Sequence, residues 1–457
     1  MEKQDGRKGS SILAVAHRLV SETIMRRLYN LLTVLLTPVL LGGLLWLSIQ
    51  QPGYRKGLGQ RLGRTLPQPR PCANGRIWIH AVSVGETLAI APLIETLLTR
   101  RPDLALLVTS TTPTGSEQVH RLFGDRVDQA WLPLDSPYAV ARSLDHWQPA
   151  VVVLVETELW PELISQCKRR GIKTLLLNGR LSARSLRRYA RLGSLMRSGV
   201  AAMDHICCQH RSDARRFRTL GASAAQVSVA GNLKFDIPVD AFKSRRDQLA
   251  VELKTRFSGR PIFLAASTHT GEDAQIIAAF KMLRQELPNS ALWLAPRHPP
   301  RSGEILELLH EAGLPVITRS SGDRIDDETE VLLIDTLGEL PAFMGLASVV
   351  FVGGSLIPHG GHNPLEALVF GLPVIAGDHT TNFADLYRQM DKNKLLTRVG
   401  SSRELAKAVV HYLGPTPRAH FAQEGPRFID AQRGALAHQY EQLEKYCAPE
   451  TDTSPTP

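Results

Sequence analysis

The sequence predicts an α/β protein with two Rossmann-like halves, preceded by one long apolar helix. Three observations support this: ten short runs rich in Val, Ile and Leu separated by helix-length segments, a strand–loop–helix pattern that occurs in both halves, and an uncharged stretch near the N-terminus. Such runs are typical of parallel strands buried on both faces. The 457 residues, 43% of them hydrophobic and 21% charged, suffice for a full core and for two or three domains, which excludes a disordered or fibrous chain.

The apolar helix is predicted over residues 28–50, after a polar extension at 1–27. Leu28–Ile49 carries no charge and has basic residues on both flanks. About 20 apolar residues suffice to cross a bilayer, so the length permits a span. The residues that follow make a poor signal-peptide cleavage site, so we expect an uncleaved anchor or a helix embedded in the interface. Charge on both sides leaves the orientation open.

The predicted strands fall into two series. The first contains Ile77–Val82, Ala105–Thr109, Ala150–Val155, Thr174–Leu177 and Val227–Ala230, and the second contains Ile262–Ala266, Ala291–Ala295, Val331–Ile334, Val349–Val352 and Pro373–Ala376. The sequence therefore predicts one domain over 51–235 and another over 247–449. A proline and a charge cluster indicate that 236–246 is a linker. Residues 450–457 are polar and proline-rich, which predicts a disordered tail.

The two halves repeat one local pattern. Ile79–Glu86 reads IHAVSVGE and Leu264–Glu272 reads LAASTHTGE, each a strand, a small polar loop and a Gly-Glu pair that opens a helix. In such folds ligands bind at the carboxyl ends of the strands, in a cleft that the two halves would face. Neither GxGxxG after the first strand nor GxxxxGK[ST] is present, which argues against a dinucleotide oxidoreductase and a P-loop enzyme.

Charge and cysteine content narrow the function further. The net charge is +10, but residues 1–64 carry an excess of +7 and residues 180–197 contain six Arg and no acid, which leaves the rest slightly acidic. This distribution argues against a nucleic-acid-binding surface and favours an anionic membrane or a phosphorylated ligand. The five cysteines form no CxxC pair, which argues against a disulfide scaffold and a zinc knuckle and suits a reducing compartment.

Acidic candidates lie at the carboxyl ends of strands in the first half. Glu86 begins a helix there, although Ser83-x-x-Glu86 is also a capping box. Glu156 and Glu158 follow a fully apolar strand, where a carboxylate must be paired or face the cleft. Lys234, at the junction of the halves, could reach the cleft or be a solvated linker charge.

The second half contains candidates for binding an anion. The glycine-rich segment 353–362 precedes Asn363-Pro364-Leu365-Glu366, a helix start where backbone amides favour a phosphate, although these residues also suit a helix cap. Arg297 follows a strand and could hold a phosphate or lie on the surface. His359 and His362 are potential metal ligands, but no third ligand follows at a suitable spacing, so no metal is expected.

One predicted helix carries an all-Arg face. Arg184, Arg187, Arg188 and Arg191 recur at helical spacing. A solvated charged face normally mixes signs, so this pattern favours binding to an anionic lipid or its phosphates.

Taken in order, these segments resemble the bacterial 3-deoxy-D-manno-octulosonic acid (Kdo) transferases. The resemblance extends from about Met25 to about Ala448, through YRKGLGQRLG, IHAVSVGE, TTPTGSE, LPLD, VETELWPELI, NGRLSARS, GNLKFD, AAST, APRHP and GGSLIPHGGHNPLEALVFGLPV. It implies a GT-B fold and inverting transfer of Kdo from CMP-Kdo to the lipid A precursor, with no metal or other cofactor. It also implies an inner-membrane enzyme whose catalytic domains face the cytoplasm.

The resemblance also implies roles for particular residues. Glu86 matches the family's general base, and Glu156 and Lys234 match positions assigned to transition-state stabilisation. The first domain would bind the acceptor and the second would bind CMP-Kdo, with CMP contacts at Pro296, Arg297, Leu337, Gly338, Glu339, Asn363, Pro364, Leu365 and Glu366. A GT-B enzyme for another nucleotide sugar and a non-catalytic lipopolysaccharide-binding membrane protein remain alternatives.

Overall fold

The chain forms two compact units in the computed structural model, which describes residues 5–72, 74–253, 259–322, 329–413 and 418–447. Unit 1 comprises Met1–Asp236 together with Arg433–Pro457, and unit 2 is Ile237–Gln432. The sequence instead predicts a second domain over 247–449. The structure divides the chain differently because the last helix packs against the first sheet. The tail predicted at 450–457 lies outside the described residues.

Unit 1 is built on a seven-stranded parallel sheet with the strand order β3-β2-β1-β4-β5-β6-β7. Its strands are β1 Arg76–His80, β2 Ala105–Ser110, β3 Asp128–Trp131, β4 Val151–Val155, β5 Lys173–Gly179, β6 His205–Cys208 and β7 Val227–Val229. Its helices are α1 Asp5–Gln50, α2 Leu58–Arg61, α3 Val84–Arg100, α4 Pro113–Phe123, α5 Pro137–Trp147, α6 Pro161–Arg169, α7 Ala183–Ala190, α8 Ser194–Ala202 and α9 Arg211–Thr219, together with the last helix of the chain, Ala435–Cys447.

Helices cover both faces of this sheet, which explains the uninterrupted apolar runs in the sequence. Along β4, Val152 and Leu154 belong to one buried apolar cluster, whereas Val151, Val153 and Val155 belong to the other. Successive side chains of a strand point to opposite faces, so a strand between two helical layers needs apolar residues at every position.

Unit 2 repeats the architecture with a second seven-stranded parallel sheet, ordered β10-β11-β9-β8-β12-β13-β14. The strands are β8 Ile262–Thr268, β9 Ala291–Pro296, β10 Val316–Thr318, β11 Val331–Leu333, β12 Val349–Val352, β13 Val374–Ala376 and β14 Thr397–Arg398. The helices are α10 Val239–Leu253, α11 Asp273–Glu286, α12 Ser302–Glu311, α13 Leu340–Met344, α14 Leu365–Val369, α15 Ala384–Lys392, α16 Ser402–Leu413 and α17 Arg418–Asp430. Most of the predicted linker is therefore the first turns of α10.

The last helix of the chain, α18 (Ala435–Cys447), returns to unit 1 and packs against β5 and α3. The fully buried Gln439 accepts a hydrogen bond from the backbone N–H of Asn178, at the end of β5, over 2.8 Å. Asp236, at the end of unit 1, accepts hydrogen bonds from the N–H groups of Gly434 and Leu436, both over 2.8 Å. These contacts hold the entry to and the exit from unit 2 beside each other.

The first helix, α1, is continuous from Asp5 to Gln50, so it includes most of the predicted polar extension. Thr23–Ile49 is long and apolar enough to cross a membrane by length and composition, and only 6% of that window is buried. Large apolar side chains are exposed along it, including Leu35, Val39 and Trp46. Unpaired apolar surface of this size marks a contact with lipid or protein.

Asp135, from the LPLD segment, fastens α1 to the body of unit 1. Its carboxylate accepts the hydroxyl of Tyr29 over 2.7 Å and the N–H groups of Glu162 and Leu163, at the start of α6, over 3.0 and 2.9 Å. Burial raises the pKa of Asp135 to about 6 despite these hydrogen bonds. This one side chain therefore caps α6 and anchors α1.

We expect Asp135→Ala to destabilise unit 1 by about 2 kcal/mol, because two helix amides and a hydroxyl lose their acceptor. Tyr29→Phe, which leaves the α6 cap intact, should cost about 1 kcal/mol or less. Urea unfolding in a mild detergent would measure both changes. Equal losses in the two variants would contradict a capping role for Asp135.

Candidate functional site

Glu86 stands at the carboxyl end of β1, in the first turn of α3. Its Oε2 accepts the backbone N–H of Val82 over 2.6 Å, and its own N–H donates to Oγ of Ser83 over 3.5 Å. Among the residues that the structure describes, Oε1 of Glu86 accepts no hydrogen bond. One carboxylate oxygen is thus used in the cap and the other remains available to a ligand.

A Glu–Lys pair lies close to Glu86 at the same edge of the sheet. Nζ of Lys234 lies 3.0 Å from Oε1 of Glu156, and both side chains are mostly buried. Lys234 is positioned by a 3-10 turn, Leu233–Phe235, whose start is capped by Asn232 over 3.0 Å. Lys234 is therefore held within unit 1 by its ion pair with Glu156, and it is not a solvated charge in a linker.

The backbone at this edge is strained. Glu156 directly follows β4 and has a φ angle of 58°, and Asn178, the next-to-last residue of β5, has a φ angle of 52°. In the separate sheet of unit 2, Ser267, the next-to-last residue of β8, has a φ angle of 59°. Residues with a Cβ rarely adopt this conformation, and such strain concentrates at functional sites. At Asn178 it is stabilised by Oδ1, which accepts the N–H of Leu233 over 3.1 Å and so also fixes the turn that carries Lys234.

The electrostatics of this cluster favour a proton on Glu86 at neutral pH. Burial raises its pKa to about 8; the Val82 N–H and the charge of Lys234 lower it, and the charges of Glu156 and Glu158 raise it. Burial, with a contribution from Glu156, also raises the pKa of Glu158 to about 7. A carboxyl with a pKa near the working pH can exchange protons with a substrate hydroxyl, which is what a general base requires.

Glu272, the counterpart of Glu86 in the repeated pattern, is used in a different way. It is fully buried, and its two oxygens accept four backbone N–H groups over 2.6 to 3.1 Å, from His269, Gly354, Ser355 and Leu356. No oxygen is left for a ligand. The same local pattern therefore yields an available carboxylate in unit 1 and a structural one in unit 2.

We expect Glu272→Ala to destabilise unit 2 by at least about 3 kcal/mol, because four buried amides lose their acceptors. Glu404→Ala is a matched control, because the exposed Glu404 accepts a hydrogen bond from one backbone amide, that of Gly400, over 2.7 Å. Thermal unfolding monitored by circular dichroism would compare the variants. A loss for Glu272→Ala no larger than for Glu404→Ala would contradict the structural role.

Several of the residues predicted to contact CMP come together at the carboxyl edge of the second sheet. The N–H of Arg297 donates to the carbonyl of Thr268 over 3.0 Å, which ties the end of β9 to the end of β8, and the Arg297 side chain is exposed. Burial raises the pKa of Glu366 to about 7, and the charge of Arg297 opposes this shift. Pro296, Pro364 and Leu365 are buried beneath them.

The loop after β11 supplies a second group of predicted contacts. Leu337 is 68% exposed and Gly338 has a φ of 85°. Glu339 is paired with Arg319 over 2.9 Å, which holds the pKa of that carboxyl below its usual range. Oδ1 of Asn363 accepts the N–H of Leu365, the first residue of the five-residue helix α14, over 3.2 Å. The Oδ1 atom of Asn363 therefore helps to hold the start of α14.

The structure adds a histidine cluster that the sequence analysis missed. His269, His359 and His362 present ligand nitrogens within 4.8 Å of one another. Nε2 of His269 lies 2.8 Å from Nε2 of His362, and the ring centroids of His269 and His359 are 3.7 Å apart. The third histidine comes from the end of β8, 90 residues before His359, so no local spacing could indicate it.

Burial and nearby positive groups, including Arg297, lower the pKa values of two histidines of this cluster. Burial, with help from Arg297 and the neighbouring imidazoles, lowers the pKa of His362 to about 3. Burial and the surrounding positive groups lower that of His269 to about 4. Three imidazoles whose ring nitrogens lie this close together could ligate a transition metal. The same positive groups also favour an anion, which would make His269 and His362 easier to protonate.

The predicted Arg face is present on α7 and its C-cap. Arg184, Arg187, Arg188 and Arg191 are all exposed, and none lies within salt-bridge distance of a carboxylate among the described residues. On the opposite side, Leu186 and Tyr189 pack against the core of unit 1. Helix α7 is thus amphipathic, with an outer face of positive charge alone.

The chain has the architecture of the GT-B glycosyltransferases: two parallel-sheet α/β units, each with charged or polar side chains at the carboxyl edge of its sheet. The UDP-GlcNAc 2-epimerase structure from Neisseria meningitidis shares this fold, with a TM-score of 0.52 at 13% identity over 81% of this chain and 99% of that one. Residues 56–237 match the family model described as 3-Deoxy-D-manno-octulosonic-acid transferase (kdotransferase).

Two curated relatives carry that same name. The 3-deoxy-D-manno-octulosonic acid transferase of Haemophilus influenzae is 37% identical over 92% of this chain and 98% of its own length. The transferase of Bordetella pertussis is 36% identical over 89% of this chain and 97% of its own. The chain therefore belongs to the 3-deoxy-D-manno-octulosonic acid (Kdo) transferase family, which confirms the family, the enzyme class and the fold predicted from the sequence.

Proposed function

We propose that this chain transfers Kdo from CMP-Kdo to a hydroxyl of the lipid A precursor, at the cytoplasmic face of the inner membrane. The observation that carries the proposal is Glu86, a half-buried carboxyl with one free oxygen and a pKa of about 8 at the carboxyl edge of the first sheet. As a general base, Oε1 takes the proton from the acceptor hydroxyl while that oxygen attacks the anomeric carbon of Kdo. The C–O bond to the CMP phosphate breaks, and CMP leaves with the bonding electrons.

Different groups stabilise the charge at the attacking centre and the charge on the departing phosphate. Lys234, paired with Glu156 near Glu86, stabilises negative charge that develops at the attacking centre. In unit 2, Arg297 can hold the departing phosphate through parallel hydrogen bonds. An arginine in this role supplies the positive charge that a metal ion supplies in other transferases, so the proposed reaction needs no metal.

Membrane attachment and acceptor binding both involve unit 1. The apolar part of α1 suits insertion into a bilayer, and the Arg face of α7 suits the phosphates of a lipid acceptor or of the membrane. A phosphorylated lipid would then be presented to a site that is itself attached to the membrane.

The test is incubation of the full-length protein with a tetraacylated lipid A precursor and either CMP-Kdo or a set of UDP-sugars, with product masses read by mass spectrometry. We expect products that are heavier by whole Kdo units with CMP-Kdo only. Transfer from a UDP-sugar, or no product from CMP-Kdo, would overturn the proposal. The product masses also count the Kdo residues added.

The pH dependence follows from the raised pKa of Glu86. The base works only when deprotonated, so kcat/KM should rise with pH and level off above about pH 8. In Lys234→Met this limb should move to higher pH, because the Lys234 charge lowers the Glu86 pKa. Profiles of kcat/KM for the acceptor, measured for both proteins with subsaturating acceptor and saturating CMP-Kdo, test this. An unchanged limb in the variant would contradict the coupling between the two groups.

A further inference from the structure

A cavity of about 280 Å³ lies in unit 1 between the start of the apolar part of α1 and helices α6 and α8. Three of its lining residues are basic: Arg26 from α1, and Lys168 and Arg169 from α6. No acidic side chain lines it among the described residues. The remaining lining residues are small, polar or apolar: Thr23, Pro161, Ser165, Leu195, Ser198, Gly199 and Ala202.

The positive groups converge on one hydroxyl. Nη1 of Arg26 donates to Oγ of Ser165 over 3.1 Å, and Nη1 of Arg169 donates to the same oxygen over 2.9 Å. Two guanidinium groups that share a neutral acceptor lie side by side, although like charges repel. Arg169 is partly neutralised by Glu162 at 3.3 Å, whereas Arg26 and Lys168 have no carboxylate within salt-bridge distance among the described residues. An anion in the cavity would remove this repulsion.

The position of the cavity indicates which anion it meets. Thr23 and Arg26 belong to the first two turns of the segment Thr23–Ile49 that can cross a membrane. If that segment enters a bilayer, its first turns lie at the depth of the lipid headgroups, where basic pockets beside apolar helices bind phosphates. Two arginines can also hold one phosphate through several charge-assisted hydrogen bonds.

We propose that this cavity binds the phosphate group of an anionic membrane lipid and so fixes how deeply unit 1 sits at the membrane. The site is formed by α1, α6 and α8 and does not include the Arg face of α7. The inference rests on the membrane attachment proposed above and not on the transfer reaction. A failure of lipid binding would therefore leave the CMP-Kdo assay unaffected, and the reverse also holds.

The experiment uses the full-length protein in a neutral detergent, mixed with phosphatidylglycerol or with phosphatidylcholine of the same acyl chains, and counts retained lipid by native mass spectrometry. We expect one retained phosphatidylglycerol and no comparable adduct with phosphatidylcholine. Arg26→Gln and Lys168→Gln should each reduce retention by about fivefold or more, since one basic group near an anionic lipid contributes on the order of that factor.

Two further variants separate a specific site from general attraction. Arg27→Gln removes the same charge from the adjacent, exposed position of α1 that does not line the cavity, and should reduce retention much less. Gly199→Leu keeps every charge; a Cβ at Gly199 meets no atom within 4 Å, so the larger side chain fits α8 while it occupies space at the cavity wall. We expect Gly199→Leu to reduce retention as Arg26→Gln does.

The outcomes that would overturn the proposal are equally specific. Equal effects of Arg26→Gln and Arg27→Gln, or full retention in Gly199→Leu, would show general attraction without a site. Both lipids carry a phosphate, but phosphatidylcholine is zwitterionic, so equal retention of the two would exclude the net negative charge of the headgroup as the determinant. If glycerol 3-phosphate or inorganic phosphate bound as well as phosphatidylglycerol and displaced it, the site would belong to a soluble phosphate and the lipid assignment would be wrong.

Discussion

Glu86→Gln should abolish Kdo transfer while leaving the fold and CMP-Kdo binding unchanged. Removal of a general base typically lowers kcat by 10² to 10⁴-fold, and the amide cannot accept the proton of the acceptor hydroxyl. The fold should tolerate the change, because the amide oxygen of glutamine can still accept the N–H of Val82, as Oε2 does over 2.6 Å. Single-turnover assays and calorimetric titration with CMP would measure the two effects separately.

The matched control is Glu95→Gln on the same helix. The half-exposed Glu95 pairs with Arg126 over 2.7 Å, so the change removes the same charge from α3 without touching the candidate site. We expect transfer by this variant within a factor of about two of the unmodified protein, because exposed ion pairs contribute little. Unchanged turnover of Glu86→Gln would remove Glu86 from the mechanism.

Arg297→Gln should reduce kcat/KM for the donor by about 10² to 10³-fold, because the departing phosphate loses its charge-assisted hydrogen bonds. The loss should appear both in the KM for CMP-Kdo and in kcat, since charge on the phosphate grows as the bond breaks. The pKa of His362 should rise towards its ordinary value, because Arg297 is one of the groups that lower it. Steady-state kinetics and NMR titration of the histidines would measure these effects.

Arg388→Gln is the control for Arg297→Gln. Arg388 forms an exposed i,i+3 pair with Asp385 on α15, so its loss changes the net charge of unit 2 equally without altering the carboxyl edge of the sheet. We expect no more than a twofold change, about what an exposed pair contributes. If both variants behaved alike, the effect of Arg297 would be one of overall charge and not of phosphate contact.

The sheet cores were predictable because burial on two faces requires apolar residues at every position. All ten predicted strands are present. Four strands were missed: β3 (DQAW), β10 and β14 lie at sheet edges, and β6 (HICC), inside its sheet, contains only one Val, Ile or Leu. An edge strand pairs on one side only and needs less apolar sequence, so its pattern resembles that of a loop.

The proximity of the residues at the candidate site was predictable because they lie at the carboxyl ends of neighbouring strands. Parallel strands bring their carboxyl ends to one edge, so Glu86, Glu156 and Lys234 could be expected near one another once the strands of unit 1 were assigned. The fate of each carboxylate could not be predicted. Glu86 and Glu272 end the same strand–loop–Gly-Glu pattern, and they differ in the loop after β12, which supplies three of the four amides around Glu272.

The return of α18 to the first sheet has a consequence for how the protein is made. The fully buried Gln439 is the partner of the Asn178 N–H, and the Asn178 side chain in turn holds the turn that carries Lys234. Unit 1 is thus interrupted by the whole of unit 2 and receives its closing element from the far end of the chain. While the ribosome is still producing unit 2, α1 is already made and the edge that carries Glu156 and Lys234 is still incomplete. The membrane attachment proposed above can therefore precede completion of the candidate site, and a nascent chain that stalls before α18 contains α1 but not the finished carboxyl edge of the first sheet.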